Sequence, residues 1–465
     1  MTSATVAAMT QQQDARGLPV GSGSASARAA VDVALWRMMS FYDTPIADLD
    51  AAIAADPGWA LPHTMKAGFL ASLTEASLLP EAHTHLDAAR VLTSAQTPAR
   101  ERSHIEAVQQ VLEGRWAGAC RTWDSLLIDQ PHDALALQWA QLWDFYRGDA
   151  VALRARPARA LPEWDEHDPL FAHVLALWAF GLGENHCLAQ AEEAGRRALA
   201  LEPRAPWAVH SVAHVMDMQG RFDDGAAWLR QHQDAWAEGN GLATHLWWHT
   251  ALFRLEGLDI AGTLRVVDGH LAAEHLQIGL HRVDAASLLW RLHLLGADVT
   301  ERSAALQAGW RLCADPGQGE AGHYTFNDVH ALLPMLLAGD LAGAERWVAR
   351  CAERAMAAAD ARRDNHAVAR EVGQPLARGL VAFSRGQLDD CADLLYTARA
   401  QAQRLGGSHA QRDLIDQTLI AACGRGSRKA LGRALLNERV LAKPVTPLTR
   451  HWLEALDDHG QQALK

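Results

Sequence analysis

The sequence predicts an all-α protein, an α-solenoid of degenerate helical hairpins wound into a right-handed superhelix, and three observations carry that prediction. Ala, Leu, Glu and Arg dominate, while runs of alternating β-branched residues are missing, so helix signals far outweigh strand signals. Three segments, "AAIAADPGWALPHTMKAGFL", "LLIDQPHDALALQWAQLWDFYRGD" and "RALALEPRAPWAVHSVAHVMDMQGRF", repeat a helix end, a proline and a new helix. Their prolines, Pro57, Pro131 and Pro203, stand 74 and 72 residues apart, which is two units of the roughly 34-residue helix-turn-helix repeat plus small insertions.

The elements follow in order from that register. Residues 1–28, rich in Ser, Gly, Ala and Gln, are expected to form a flexible tail, and residues 29–465 a single repeat domain, because a chain of this length exceeds one ordinary core unless it is an array. Gly148 and Gly220 follow their prolines by 17 residues, the offset of a tetratricopeptide-type first helix. Similar turns occur at Gly114, Gly257, Gly339 and Gly386, each with a small residue five positions on: Ala119, Gly262, Ala344 and Cys391. A glycine there ends one helix in the left-handed region, and the small residue lets the second helix approach closely. Roughly seven hairpins are expected on this spacing.

Composition excludes several function classes. With 43 Lys and Arg against 55 Asp and Glu, the net charge of −12 opposes binding to nucleic acid or to an anionic membrane surface. The six cysteines are scattered without a Cys-x-x-Cys, which argues against a disulfide framework or zinc ribbon and fits reduced thiols in the cytoplasm. No signal-peptide core and no stretch of about 18 uncharged apolar residues is present, so a soluble, cytoplasmic protein is expected. A homodimer is compatible with this composition. Glycine-rich phosphate loops and nucleophile elbows are absent from the sequence.

The blocks "WAVHSVAHVMDMQG", "HLWWHTALFRLEGL", "FNDVHALLPML", "AREVGQPLARGLV", "GGSHAQRD" and "LLNERVLAKPVTPLTRHWL" resemble, in order, the tetratricopeptide repeat protein 38 family. The similarity runs from about residue 200 to 455, and the N-terminal part fits more weakly. Glu371 stands where the pattern leads one to expect Asp, which preserves charge. The resemblance implies a helical-repeat fold and implies that these polar blocks belong to the family pattern. It implies no particular reaction.

Within these blocks His210 and His214, then His245 and His249, form two His-x-x-x-His pairs, each on one helical face. If both faces meet, four imidazoles converge. Three explanations compete: a metal site, acid/base chemistry without metal, or histidines that only pack. Two His one turn apart can chelate Zn²⁺ or another divalent ion, and facing helices build such sites, but the Glu of His-Glu-x-x-His is lacking. The leading expectation is therefore metal-free, with no cofactor. The candidate catalytic residues are His210, His214, His245, His249, His330 and Asp328, working near the ordinary imidazole pKa of about 6.5. Asp217, Asp284 and Asn327 are candidate orienting groups. Trp207, Trp248, Asn327, Arg370, Arg378, Arg412 and Asp413 are candidate ligand contacts, the arginines as clamps for a carboxylate or phosphate. The function expected is binding of a small organic molecule in a polar, His-lined pocket on the concave side, with hydrolysis or elimination as the chemistry. The competing expectation is a non-catalytic scaffold that holds a peptide or protein partner in its groove.

Overall fold

The computed structural model describes residues 12–312 and 321–457. Among them the chain is built of helices with no strand, only two isolated bridges, and no helix is long and apolar enough to cross a membrane. Hairpins follow one another as α1 (Ala25–Ser40) with α2 (Ile46–Ala55), α3 (Ala60–Ser72) with α4 (Leu79–Leu92), α5 (Ala99–Leu112) with α6 (Trp116–Asp129), and α7 (Ala134–Tyr146) with α8 (Ala150–Ala160). Next come α9 (Phe171–Glu184) with α10 (Leu188–Leu201), α11 (Pro206–Met218) with α12 (Phe222–Gln231), α13 (Ala243–Glu256) with α14 (Ile260–His270), and α15 (Gly279–Leu294) with α16 (Thr300–Leu312). The last are α17 (Thr325–Leu337) with α18 (Leu341–Met356), a short α19 (Asp364–Val368) leading through a π turn into α20 (Gln374–Ser384) with α21 (Leu388–Arg399), and α22 (His409–Arg425) with α23 (Lys429–Ala442). A final helix, α24 (Pro447–Leu456), packs on that last pair.

Eleven hairpins thus replace the expected seven, and turn chemistry explains the difference. Seven hairpins share a three-residue turn whose middle residue is left-handed: Gly114, Gly148, His186, Gly220, Leu258, Gly339 and Gly386. Five are glycines, which adopt positive φ without a Cβ penalty and can be read from sequence. His186 and Leu258 take the same conformation, so Gly257, read as the left-handed residue, lies one position before it at φ −84°. Three of the remaining hairpins close with longer turns, and of these only the α15–α16 turn holds a left-handed glycine, Gly296. Pro57, Pro131 and Pro203 each sit in a four-residue turn between one hairpin and the next, as their spacing requires.

First helices form an inner layer and second helices an outer one. Every residue of α17 is buried, and all of α9 except Trp178, whereas α12 buries only Gly225, Trp228 and Leu229. A helix apolar all round must be covered on both sides. The inner helices are covered because hairpins far apart in sequence meet across the centre. Tyr42 bridges Asn240, Asn327 Nδ2 donates to the Thr74 carbonyl at 3.1 Å, and Tyr324 Oη donates to the Tyr146 carbonyl at 3.0 Å. Arg282 pairs with Glu75 at 3.0 Å, and Trp290 Nε1 donates to Thr418 Oγ1 at 2.8 Å. Part of the expected tail joins this packing: Leu18 and Val20 are buried, and the Gly21 N–H donates to Glu101 at 2.7 Å. Residues 1–11 lie outside the described residues.

Gly148 marks one closing contact. Its φ is +70°, a Cβ added there would collide with the Gln403 carbonyl oxygen, and Gln403 Nε2 donates to the Gly148 carbonyl at 3.0 Å. Gly339 has φ +77° but open space around its Cβ position. Gly339→Ala should therefore cost only the left-handed backbone term, about 1–2 kcal/mol. Gly148→Ala should cost clearly more, because a backbone carbonyl from a distant hairpin cannot swing aside. Urea unfolding midpoints of the two variants, compared side by side, check this; equal shifts would show that the closing contact contributes nothing.

Candidate functional site

Four imidazoles meet between α11 and α13. His210 and His214 lie one turn apart on α11, and His245 and His249 one turn apart on α13; one ring nitrogen of each lies within 4.8 Å of the others. His210 Nε2 sits 2.9 Å from His214 Nε2 and 3.0 Å from His245 Nε2, and the His214 and His249 ring centres are 4.5 Å apart. Three of the rings are at most 2% exposed; His245 is half-buried. A third helix orients the cluster, since Asp284 of α15 takes a hydrogen bond from His245 Nδ1 at 2.8 Å. On another side Glu184, at the end of α9, brings Oε1 to 4.0 Å from His214 Nδ1.

Several ring nitrogens have no partner. His210 Nδ1, His214 Nδ1 and both nitrogens of His249 are buried without a hydrogen bond. A neutral imidazole carries one donor and one acceptor, and leaving either unsatisfied in an apolar interior costs free energy. Burial, and next the surrounding imidazoles, push His210, His214 and His249 well below the ordinary 6.5. These three are neutral at pH 7. The expectation that they titrate near neutrality is corrected accordingly: they present lone pairs, the form in which imidazole ligates a metal.

The cluster forms part of the wall of a cavity of about 570 Å³. His210, His214 and His245 line it; His249 does not, and so lies behind them. Most of the wall is aromatic or aliphatic, with Phe41, Phe145, Phe180 and Trp207 prominent, so the pocket expected to be polar is largely apolar. Phe180 stacks on His210 with ring centres 5.4 Å apart, and Trp207 lies 4.6 Å from the same ring. Trp248 stacks on His245 at 5.1 Å and donates to Ser287, which fixes that ring from behind.

Other sequence candidates fall elsewhere. His330 is buried on α17 and donates Nδ1–H to the Phe326 carbonyl at 2.7 Å, outside the four-histidine group. Asp328 accepts the Gly322 N–H at 2.9 Å, and Asn327 joins α17 to Thr74. Arg370 is exposed and paired with Glu371, and Arg378 is also exposed. Arg412 binds the Gly406 and Gly407 carbonyls and lies 3.4 Å from Glu184, while Asp413 pairs with Arg439. Asp217 pairs with Lys443 at 3.3 Å. No anion clamp of Arg370, Arg378 and Arg412 forms, because Arg370 and Arg378 are exposed while Arg412 is committed to Glu184 and two carbonyls. Of the orienting candidates, Asp284 alone touches the cluster. Glu184 escaped the sequence reading, although a carboxylate ending the apolar run "FAHVLALWAFGLGE" is a signal of a buried polar role. No family model matches the chain.

Proposed function

We propose that the four histidines hold a divalent transition-metal ion and that the protein is an enzyme acting on a small, mainly apolar molecule bound in the adjoining cavity. The convergence of His210, His214, His245 and His249, with buried unpartnered nitrogens, carries this reading. Nitrogen donors favour Zn, Fe, Ni or Cu over Mg and Ca, which take oxygen ligands. The His245–Asp284 hydrogen bond matches the carboxylate–imidazole pairing that fixes tautomer and ring orientation around metal sites. An ion held by His210, His214, His245 and His249 would, with a coordination position left open toward the cavity, supply Lewis-acid polarisation of a ligand oxygen. The chain's residues do the rest: aromatic walls exclude water, and His249 anchors the cluster from behind.

Hydrolysis or elimination remains the reaction class we assign. The resemblance to the tetratricopeptide repeat protein 38 family supports the repeat reading and is silent on chemistry. A scaffold that holds a peptide in an open groove is less well supported, since contacts such as Tyr42–Asn240 and Asn327–Thr74 cross the inner side. Five described cysteines are free thiols, which supports a cytoplasmic location.

Metal content tests the proposal. Protein stripped with chelator, dialysed and titrated with Zn²⁺, Fe²⁺, Ni²⁺ or Cu²⁺ should take up a stoichiometric ion of at least one of these and melt at a higher temperature, because an ion that binds only the native state stabilises it by mass action. Failure to retain any of the four at micromolar concentration would overturn the metal assignment.

A further inference from the structure

The cavity wall holds polar atoms that the fold leaves unserved. Gln138 and Gln141, one turn apart on α7, both line it and are only 5% and 3% exposed. Gln138 Nε2 donates to the Met38 carbonyl at 3.2 Å and Gln141 Nε2 to the Leu177 carbonyl at 3.0 Å. A backbone carbonyl only accepts, so these bonds fix which end of each amide is nitrogen. Both Oε1 atoms are then buried acceptors without a donor. Two indoles of the same wall, Trp139 and Trp207, have buried Nε1–H donors without an acceptor. Groups of this kind are rarely left unpaired in a native interior.

The charges of the wall point the same way. Arg37 is paired with Asp48 at 2.6 Å and Asp43 at 3.6 Å, and Asp284 is bonded to His245. In the metal-free protein an anion entering here meets no uncommitted arginine, and the two glutamine carbonyl oxygens repel it. What the wall lacks is a neutral group that donates and accepts at once, carried on an apolar body.

Resting on the site reading above, we infer that the cavity takes a neutral carboxamide of an aromatic or aliphatic body. Its N–H serves the Gln138 or the Gln141 oxygen, and its carbonyl oxygen accepts from an indole N–H. Phe41, Phe145 and Phe180 pack the apolar body. The amide lies in the chamber whose wall includes His210, His214 and His245, so a hydrolytic reaction of this site has an acyl carbon within the same enclosure.

Matched ligands test the class on the full-length protein. Calorimetric titrations compare N-phenylhexanamide with N-methyl-N-phenylhexanamide, which lacks the donor, and with 6-phenylhexanoate, which is anionic; the same series is repeated with a naphthyl body. The secondary amides should bind about tenfold or more tightly than their N-methyl partners, the cost of leaving a buried acceptor unserved. Gln138→Met with Gln141→Met should erase that ratio while leaving the N-methyl affinity in place. If the double variant does not fold, the wild-type ratio decides alone. Equal affinities, tighter binding of the carboxylate by chelator-stripped protein, or no binding of either secondary amide at millimolar concentration would overturn the inference. Metal content measured on the same sample separates the two proposals. Amide discrimination by protein that binds no metal sinks only the metal assignment, and metal-loaded protein without discrimination sinks only the ligand class.

Discussion

His249→Ala should abolish stoichiometric divalent-metal binding, whereas Asp284→Asn should weaken it by about 10–100-fold. His249 offers two ring nitrogens with no protein partner, so its removal deletes a ligand and releases no competing bond. Asp284 touches the cluster only through His245 Nδ1, where it holds the ring in place. Asparagine keeps a hydrogen-bond acceptor but loses the charge that makes the imidazole a better donor to metal. His330→Ala is the control, since it also deletes a buried histidine but one outside the group. Competition titrations against a chromophoric chelator rank the three variants. Should His330→Ala lose metal as fully as His249→Ala, the loss reflects damage to packing and the four-histidine assignment fails.

Asp133→Ala should be the most destabilising single substitution away from the cluster, at about 3–5 kcal/mol. Asp133 is fully buried, pairs with Arg100 at 2.6 Å, lies 3.0 Å from His104 Nε2 and caps α7 by accepting the Ala136 N–H. Alanine leaves the Arg100 guanidinium, itself 3% exposed, as a buried charge without its carboxylate. Burial alone would raise the Asp133 carboxyl, but Arg100 and His104 overcome it and hold the group far below the usual carboxylate range. A carboxyl depressed in the folded state contributes stability above its unfolded pKa of about 3.9, and that contribution drains away as pH falls below it. Wild type should therefore lose stability steeply on acidification below about pH 4, and Asp133→Ala should show a shallower slope there. Unfolding midpoints measured from pH 7 to 3 check both; parallel curves would mean that the carboxylate carries no charge-dependent stability.

The helical class and the two histidine pairs were legible because both rest on short-range periodicity. His210 and His214 share a face of any α-helix, and Pro203 with Gly220 brackets theirs. The hairpin closed by His186 was hidden, and the one closed by Leu258 was read one position early, at Gly257, since sequence signals left-handed turns through glycine and these two residues adopt the conformation against their preference. Arg412 and Asp413 illustrate a second limit. Adjacent in sequence, they point to different helices, one toward Glu184 and the other toward Arg439, so a polar block does not act as a unit. The pairing of Asp284 with His245 depends on how two consecutive hairpins stack, so the sequence offered Asp284 only as one orienting candidate among several. Gln138 and Gln141 were visible as two amides in an apolar helix, but their meaning needs the cavity.

Closure across the centre also fixes how many units the chain contains. In an open array each repeat touches only its neighbours, so one can be gained or lost at modest cost. Here Tyr42 must find Asn240, Thr74 must find Asn327 and Gly148 must find Gln403. Duplicating or deleting a hairpin between any of these pairs displaces every later one by a full step, and the partners miss. Length changes are tolerated only where nothing crosses, as at the exposed Ser94–Gln96 turn between α4 and α5. The histidine chamber is accordingly a product of counting as well as of chemistry. Its walls come from helices as distant as α1 and α22, which meet only when the intervening number of hairpins is right.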